Sequence, residues 1–261
     1  MESSKIKSLE ESVVTSMDGS DAGLFPFFPY ILQDSWEIGS DPDVIIGLVR
    51  RHVKDYTDLR VLDLGCGKGA VSVKIAKELN CRCLGVDAIK EFIDEANRKA
   101  CEYGVDHLCR FELGDIRQKV KVLTGFDIVI LGSIGPVFGD YSQTLKALER
   151  CIEKNGKVII DDGYVKNDSE YSHPLILKQD VILNQIADSG MKLLGEAMID
   201  RSHIKESNIL IFENLKRRCQ ELIKKYPDKG ELFNKYIERQ EEENEVLEQK
   251  VVCSVMMIEK K

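Results

Sequence analysis

Residues 61–69 read VLDLGCGKG. A short apolar run that holds one carboxylate, Asp63, leads into three glycines at alternate positions. A glycine-rich turn after a strand lets the backbone approach a ligand closely, because glycine has no Cβ and tolerates positive φ. The stretch therefore predicts a ligand-binding turn, and the surrounding sequence must decide which ligand it holds.

The chain around this turn alternates between short apolar runs and segments of helical period. The runs are rich in Val, Ile and Leu, as buried parallel strands are, and they predict strands at 60–64, 83–87, 109–115, 126–131 and 157–161. Amphipathic helices are expected between them; the fourth helix places Tyr141 and Ile152 on one face and stops at Asn155-Gly156. Two further strands are predicted at 191–200 and 250–259. Repeated β-α-β units predict an α/β fold with a doubly wound, mostly parallel sheet of seven strands.

Two segments fall outside this repeat and indicate how the chain is organised. Residues 1–57 form a predicted N-terminal helical and aromatic cap, in which Asp41-Pro42 opens a helix. Residues 58–202 form the core, and 203–249 are a strongly helical insertion that we expect to act as a lid. Residues 250–261 supply the last core strand.

Composition narrows the function classes. The chain has 261 residues and a formal net charge of −8, so a nucleic-acid partner is unlikely. No apolar run approaches the roughly 20 residues that span a bilayer, and the N-terminus is too polar for a secretory signal. We therefore expect a cytoplasmic protein without a membrane partner, whose eight cysteines are reduced thiols. Cys81 and Cys83 lack a second pair or a nearby His, so no metal site is predicted. Monomer and dimer remain open.

Several ligands use such a turn, and the spacing separates some of them. A P-loop is excluded, and Gly65, Gly67 and Gly69 do not give the dinucleotide spacing G-x-G-x-x-G. Asp87, about twenty residues past the glycines, suits the ribose of NAD and of S-adenosylmethionine equally. Asp63 favours S-adenosylmethionine over NAD. A carboxylate at this position can bind the ammonium of a methionine moiety, whereas it does not stabilise a pyrophosphate.

A set of motifs resembles the class I S-adenosylmethionine-dependent methyltransferases. They are VLDLGCGKGAVSVKIAKEL, GVDAIKEFIDEANRKA, FELGDI, FDIVILGSIG and LERCIEKNGKVIIDDG, which together span about residues 60–162. The resemblance implies a Rossmann-like sheet whose antiparallel seventh strand lies between the fifth and sixth. It implies S-adenosyl-L-methionine as cofactor, with Gly65, Cys66 and Gly67 along its methionine part. The ribose is assigned to Asp87 and Ala88, the adenine to Asp115 and Ile116, and the vicinity of the transferable methyl to Leu131, Gly132 and Ser133. Asp63 and Gly69 complete the predicted cofactor-binding residues.

The acceptor side is less defined. The segment GSIGPVFGDY (132–141) is the expected substrate floor, and it lacks the Asn/Asp-Pro-Pro-Tyr/Phe loop of enzymes that methylate base amines or glutamine amides. Its polar candidates for catalysis are Ser133, Asp140 and Tyr141, although Asp140 is better explained as a helix N-cap. The segment 30–40 resembles the N-terminal segments of small-molecule methyltransferases, which makes Tyr30, Gln33, Trp36 and Glu37 candidates for substrate contact. Packing of the cap onto the core explains these aromatics equally well.

These observations favour a methyltransferase that acts on the N, O or S nucleophile of a small molecule by in-line displacement. Three alternatives remain: an RNA or protein methyltransferase, an NAD(P)-dependent oxidoreductase on a similar fold, and a non-catalytic cofactor-binding protein.

Overall fold

Seven strands form one sheet in the computed structural model of the chain, which describes residues 7–260. Residues 1–6 and 261 lie outside the described part, and with them the outer ends of the predicted cap and last strand. The strands are β1 Arg60–Leu64, β2 Arg82–Asp87, β3 Cys109–Leu113, β4 Phe126–Gly132, β5 Ile152–Tyr164, β6 Met191–Met198 and β7 Val252–Lys260. Their spatial order is β3-β2-β1-β4-β5-β7-β6. Because β7 runs antiparallel to both β5 and β6, the predicted sheet and the place of its last strand are confirmed.

Ten α-helices accompany the sheet in the described residues. They are α1 Leu9–Ser16, α2 Phe28–Ile31, α3 Pro42–His52, α4 Ala70–Leu79, α5 Lys90–Glu102, α6 Ile116–Lys119, α7 Tyr141–Leu148, α8 Gln179–Asp188, α9 Arg201–Lys225 and α10 Gly230–Gln249. Asp41 accepts hydrogen bonds from the backbone of Asp43 and Val44, so it caps α3 as expected from its position before Pro42. No described helix is long and apolar enough to cross a membrane.

The central strands of the sheet are buried on both faces, which explains their apolar runs. One apolar cluster joins α3 and α4 to Val61, Ile130 and Ile159. A second joins α7 and α8 to Leu62 and Ile160 on the opposite face. The side chains of successive strand residues point to opposite faces. The carboxylates of Asp161 and Asp162, near the end of β5, therefore lie on opposite faces of the sheet.

The predicted end of the fourth helix is wrong. Helix α7 ends at Leu148, and Ile152 already belongs to β5, where it pairs with Phe126. The register then shifts, since Ile128 pairs with Lys157. Asn155, with a φ of 68°, and Gly156 thus lie in a bulge. A pair that favours positive φ serves a bulge as well as a helix end, so the sequence could not separate the two.

A third cluster joins the N-terminal segment to the helical insertion. Phe28 is fully buried and its ring meets Tyr236 edge-on, while the Phe27 ring lies 5.0 Å from that of Phe233. Ile89 and Phe92, which follow the carboxyl end of β2, belong to the same cluster. The two segments outside the β-α-β repeat are therefore packed on each other beside the carboxyl end of the sheet.

Candidate active site

The glycine turn runs between β1 and α4 and bends sharply over the end of β2. Gly65, Gly67 and Gly69 all have positive φ, at 76°, 52° and 76°. The backbone N–H groups of Gly65 and Cys66 donate to the carbonyl of Val86 at 2.8 and 3.1 Å. These bonds fix the turn against the neighbouring strand, so that its outer side faces the carboxyl edge of the sheet.

The glycines differ in what a side chain would meet. A Cβ on Gly69 would lie 2.8 Å from the Cβ of Ala96 and 3.0 Å from the Phe111 ring, so this glycine permits packing of α4. A Cβ on Gly67 would meet only the Ile38 side chain, at 3.3 Å. Gly67 is therefore the point of the turn where the backbone is open toward a ligand and only the N-terminal segment covers it.

Asp87 ends β2 and links the turn to α5. One of its carboxylate oxygens accepts from Gly67 N at 2.8 Å and the other from Ile89 N at 2.9 Å. Burial raises its pKa above the usual value, while those backbone donors act in the opposite direction. The next residue, Ala88, is half-buried. Asp87 thus shapes the turn and retains lone pairs that could accept ribose hydroxyl hydrogens.

Asp63 lies beneath the same turn. It is 2% exposed, and Ser72 on α4 donates to it at 2.6 Å. Burial raises the pKa of Asp63 to about 6, with the Ser72 hydroxyl opposing and the Asp87 charge adding to the shift. Cys66 is also buried, and burial raises its thiol pKa well above the usual value, so it contributes shape rather than a nucleophile.

Asp115 ends the loop after β3 and caps α6. It accepts from the Arg117 backbone N at 2.8 Å and forms a two-pronged ion pair with the Arg117 guanidinium. Burial tends to raise the pKa of Asp115, but the hydrogen bonds from Arg117 outweigh it and hold the pKa below its usual value. Asp115 and the half-buried Ile116 were predicted from the sequence, but Arg117 was not. An Arg two residues after a capping Asp is the sequence signal that could have indicated this ion pair.

The exit of β4 is crossed by the N-terminal segment. Ser133, with a φ of 52°, donates its backbone N–H to the Asp161 carbonyl at 3.0 Å, and its hydroxyl lies 3.3 Å from that of Ser40. A Cβ on Gly132 would lie 2.5 Å from Ser40 Oγ, so Ser40 packs directly on Gly132. The preceding residue, Leu131, is buried in the sheet. Residues 38–40 therefore lie over the ends of both β1 and β4.

Lys68 holds this segment on the turn, a role that no pattern in the sequence indicates. The Lys68 ammonium is buried and donates to the carbonyls of Leu32 and Ser35, the second at 2.7 Å. In return the Trp36 indole donates to the Lys68 carbonyl at 2.9 Å. Burial lowers the pKa of Lys68 to about 8, against the raising effect of Glu95 and Asp34. Three hydrogen bonds thus tie residues 32–36 to the glycine turn.

The predicted catalytic candidates do not lie together. Ser133 is exposed at the end of β4, and Asp140 caps α7 in a reciprocal arrangement with Gln143. The Tyr141 hydroxyl donates to Asp162 at 3.0 Å on the sheet face covered by α7 and α8. Burial and the neighbouring Asp162 raise the Tyr141 pKa well above its usual value, so the phenol stays protonated.

The predicted substrate contacts make ties within the protein instead. The Tyr30 hydroxyl bonds to Glu221 at 2.5 Å, and Glu37 pairs with Lys74 at 2.7 Å. The Trp36 ring lies 5.0 Å from the Tyr103 ring and 4.9 Å from the Lys99 ammonium. Gln33 is exposed. Their role toward a substrate stays a prediction.

Comparison with known proteins places this arrangement in a family. A family model described as a methyltransferase domain matches residues 56–250. The chain belongs to the methyltransferase family. The uncharacterized methyltransferase YcgJ of Bacillus subtilis is 26% identical over 164 residues, which cover 63% of this chain and 57% of that relative. Family membership confirms the class and the cofactor predicted from the motifs.

Solved structures of a methyltransferase and of a cyclase share the fold. A Geobacter sulfurreducens S-adenosylmethionine-dependent methyltransferase, crystallised with S-adenosyl-L-homocysteine, superposes with a TM-score of 0.73 at 16% identity, over 90% of this chain and 98% of that one. The 4+2-cyclase SpnF superposes with a TM-score of 0.68 at 15% identity, over 97% of this chain and 96% of that one. The second match extends across the N-terminal segment and the insertion.

The residues of this methyltransferase fit its cofactor. Three groups lie at the carboxyl ends of β1, β2 and β3: the Cα of Gly67, which only Ile38 approaches, the Asp87 carboxylate and the Asp115 carboxylate. A metal ion has no comparable set: residues 7–260 contain no group of three His, Cys, Asp or Glu side chains able to hold one.

Proposed function

We propose that this methyltransferase transfers a methyl group from S-adenosyl-L-methionine to a small-molecule acceptor. The observation that carries the proposal is the buried Asp87 carboxylate, which joins the Gly67 and Ile89 backbone donors where a ribose would lie. Ile38 covers the turn from the other side, as expected for a site that encloses its cofactor.

The bound cofactor supplies an electrophilic methyl on a sulfonium, so the chain mainly has to orient the two reactants and exclude water. Asp87 would hold the ribose, Asp63 would serve the ammonium of the methionine part, and Asp115 would accept from the adenine amino group. Lys68 and Trp36 hold residues 32–36 over the turn and so help to keep the site dry. Ser133 marks the end of β4, where the acceptor approaches.

A small acceptor is supported by the shape and charge of the approach. Residues 38–40 lie over the ends of β1 and β4, and the net charge of −8 disfavours a polyanion such as RNA. The solved cyclase shows that this fold also serves chemistry other than methyl transfer. Turnover must therefore be measured and not inferred from binding.

Calorimetry with S-adenosylhomocysteine and NAD, followed by a metabolite screen with S-adenosylmethionine, tests the proposal. We expect the first ligand to bind at micromolar or tighter concentration, NAD to give no heat, and small acceptors to yield S-adenosylhomocysteine. Binding of NAD without binding of S-adenosylhomocysteine would overturn the proposed cofactor site. Cofactor binding without turnover of any acceptor would favour a non-catalytic or cyclase-like role.

A further inference from the structure

The Asp161 carboxylate has no assigned role, although it lies at the edge of the proposed site. Asp161 lies in β5 directly after the buried Ile160, and it pairs with Gly132 at the end of β4. Asp161 is only 5% exposed, and within the described chain its Oδ2 has no hydrogen-bond partner. A buried carboxylate oxygen without a partner costs free energy, so it requires an explanation other than stability.

The groups around Asp161 form a small polar cluster on the face of the sheet that α3 covers. The hydroxyls of Ser40 and Ser133 lie beside the Asp161 carboxylate, and the charge of Asp41, the residue before α3, acts on it. His203 of α9 in turn contacts Asp41 at 3.0 Å. Ser133 is exposed at the end of β4, so the cluster lies next to the protein surface.

The charge of the cluster indicates what it binds. Burial raises the pKa of Asp161 to about 7, and the charged groups that add to this shift, Asp162 and Asp41, are both acids. A carboxylate or phosphate on the acceptor would be repelled here. An ammonium group would relieve the repulsion, since a buried carboxylate is stabilised by an opposite charge that also donates hydrogen bonds.

We propose that Asp161 is the residue that binds the acceptor, and that the acceptor is a primary or secondary amine. This inference rests on the proposed methyl transfer. The protonated amine enters beside Ser133 and donates to Asp161 Oδ2, which takes one proton and leaves a nitrogen lone pair. That lone pair forms the bond to the methyl carbon as the bond from sulfur to carbon breaks. The electron pair of the broken bond stays on sulfur, and the product is the methylated ammonium.

The chain offers a matched control. Glu196 on β6 also has a buried carboxylate oxygen without a partner in the described residues. Glu196 and Asp161 lie on opposite faces of the sheet. Glu196 pairs with Met256, whose side chain lies on the face that α7 and α8 cover, and Asp161 pairs with Val255 on the other face. Glu196→Gln and Asp161→Asn each remove one carboxylate charge that has a buried, unpartnered oxygen, and only the second changes the cluster around Asp161.

The test uses phenethylamine, 2-phenylethanol and phenylacetate, within a wider panel of amines that have an alcohol and a carboxylate of the same skeleton. We expect wild-type protein to methylate amines in preference to both other classes. Asp161→Asn should bind S-adenosylmethionine and S-adenosylhomocysteine as wild type does, yet lose about a hundredfold or more in amine turnover. In calorimetry with the S-adenosylhomocysteine complex, the same variant should bind the best amine at least tenfold more weakly. Glu196→Gln should match wild type in all of these.

Other results overturn the inference and are distinguishable from one another. Full turnover by Asp161→Asn, or a panel in which no amine is methylated, removes the amine role while cofactor binding still supports the methyltransferase. Weaker binding of S-adenosylmethionine but not of S-adenosylhomocysteine by Asp161→Asn would assign the carboxylate to the sulfonium. If wild-type protein binds neither cofactor form, the proposed function itself fails.

Discussion

At the scale of single residues, the site depends on backbone groups as much as on side chains. Asp87 accepts from Gly67 N and from Ile89 N, so one carboxylate fixes both the glycine turn and the start of α5. A ligand bound there meets a turn whose shape is already set, which reduces the ordering that binding requires.

Replacing Asp87 by Asn tests this dual role. Asn has one acceptor oxygen instead of two, so it cannot serve Gly67, Ile89 and a ribose together. We expect S-adenosylhomocysteine to bind roughly ten- to a hundredfold more weakly, the loss of about 1.5–3 kcal/mol of charged hydrogen bonding. Isothermal calorimetry measures the change, and Asp94→Asn on the exposed side of α5 is the control. Unchanged affinity in folded Asp87→Asn would remove the ribose assignment.

The glycine turn also permits a test that separates strain from overlap. Gly69 and Gly104 have similar positive φ, 76° and 70°, but a Cβ meets Ala96 only at Gly69 and meets nothing within 4 Å at Gly104. Gly104→Ala should lower the free energy of unfolding by about 1 kcal/mol through backbone strain alone. Gly69→Ala should lose a further 1–3 kcal/mol, roughly, from overpacking. Urea unfolding provides both values, and equal losses would contradict the packing role of Gly69.

The sequence indicated the cofactor-site residues because each lies at the carboxyl end of a predicted strand. Gly65 to Gly69, Asp87 and Asp115 each follow a strand, and the strand pattern alone brings them to one edge. Lys68 and Ser40 could not be found in this way. Their partners are Leu32, Ser35 and Ser133, whose proximity depends on how the N-terminal segment folds back over the sheet.

At the scale of elements, the N-terminal segment and the α9–α10 insertion behave as one layer. Arg218 on α9 forms a two-pronged ion pair with Asp34, with contacts of 2.6 and 2.8 Å, across 184 positions of sequence. The sequence predicts an aromatic N-terminal cap and a helical insertion. It does not predict that the two bury their apolar faces against each other, since an apolar stripe does not specify its partner.

The tie between this layer and the glycine turn is open to a paired test. Lys68 and Lys74 both reach the 30–40 segment, but Lys68 is buried and Lys74 forms a partly exposed pair with Glu37. Lys68→Met should weaken S-adenosylhomocysteine binding by about tenfold and speed its release, because two hydrogen bonds of roughly 1 kcal/mol each are lost. Lys74→Met should change binding less than twofold, as exposed pairs contribute little. Stopped-flow displacement gives the release rates, and equal effects of the two variants would show that burial of the tie is unimportant.

At the scale of the whole molecule, the unusual feature is a set of buried or half-buried carboxyl groups. Burial raises the pKa of Asp18 and Asp63 to about 6 and that of Asp161 to about 7. Each binds a proton more readily in the folded chain than in the unfolded one, where an Asp titrates near 3.9. The stability these groups contribute is therefore full below about pH 4 and is lost as the pH rises through 6 to 7.

Asp18 allows this dependence to be measured outside the active site. It lies after α1 against α10, with a φ of 59°, and Gln240 contacts its carboxylate at 3.3 Å. Burial raises its pKa, and the charge of Glu243 adds to the shift. Asn keeps the amide contact, tolerates positive φ and carries no charge. Asp18→Asn should therefore raise the free energy of unfolding by about 1–3 kcal/mol at pH 7.5, where the native carboxylate is ionised. The size follows from the rise of the Asp18 pKa to about 6, since each pKa unit corresponds to about 1.36 kcal/mol.

At pH 4, where Asp18 is protonated in the folded chain, the gain should vanish. Asp58→Asn is the control, because Asp58 has nearly the same φ, 56°, in an exposed position. Urea unfolding between pH 4 and pH 8 gives the comparison. A gain of equal size at both ends of that range, or the same gain in Asp58→Asn, would assign the effect to backbone conformation and show that burying the Asp18 charge costs the fold nothing.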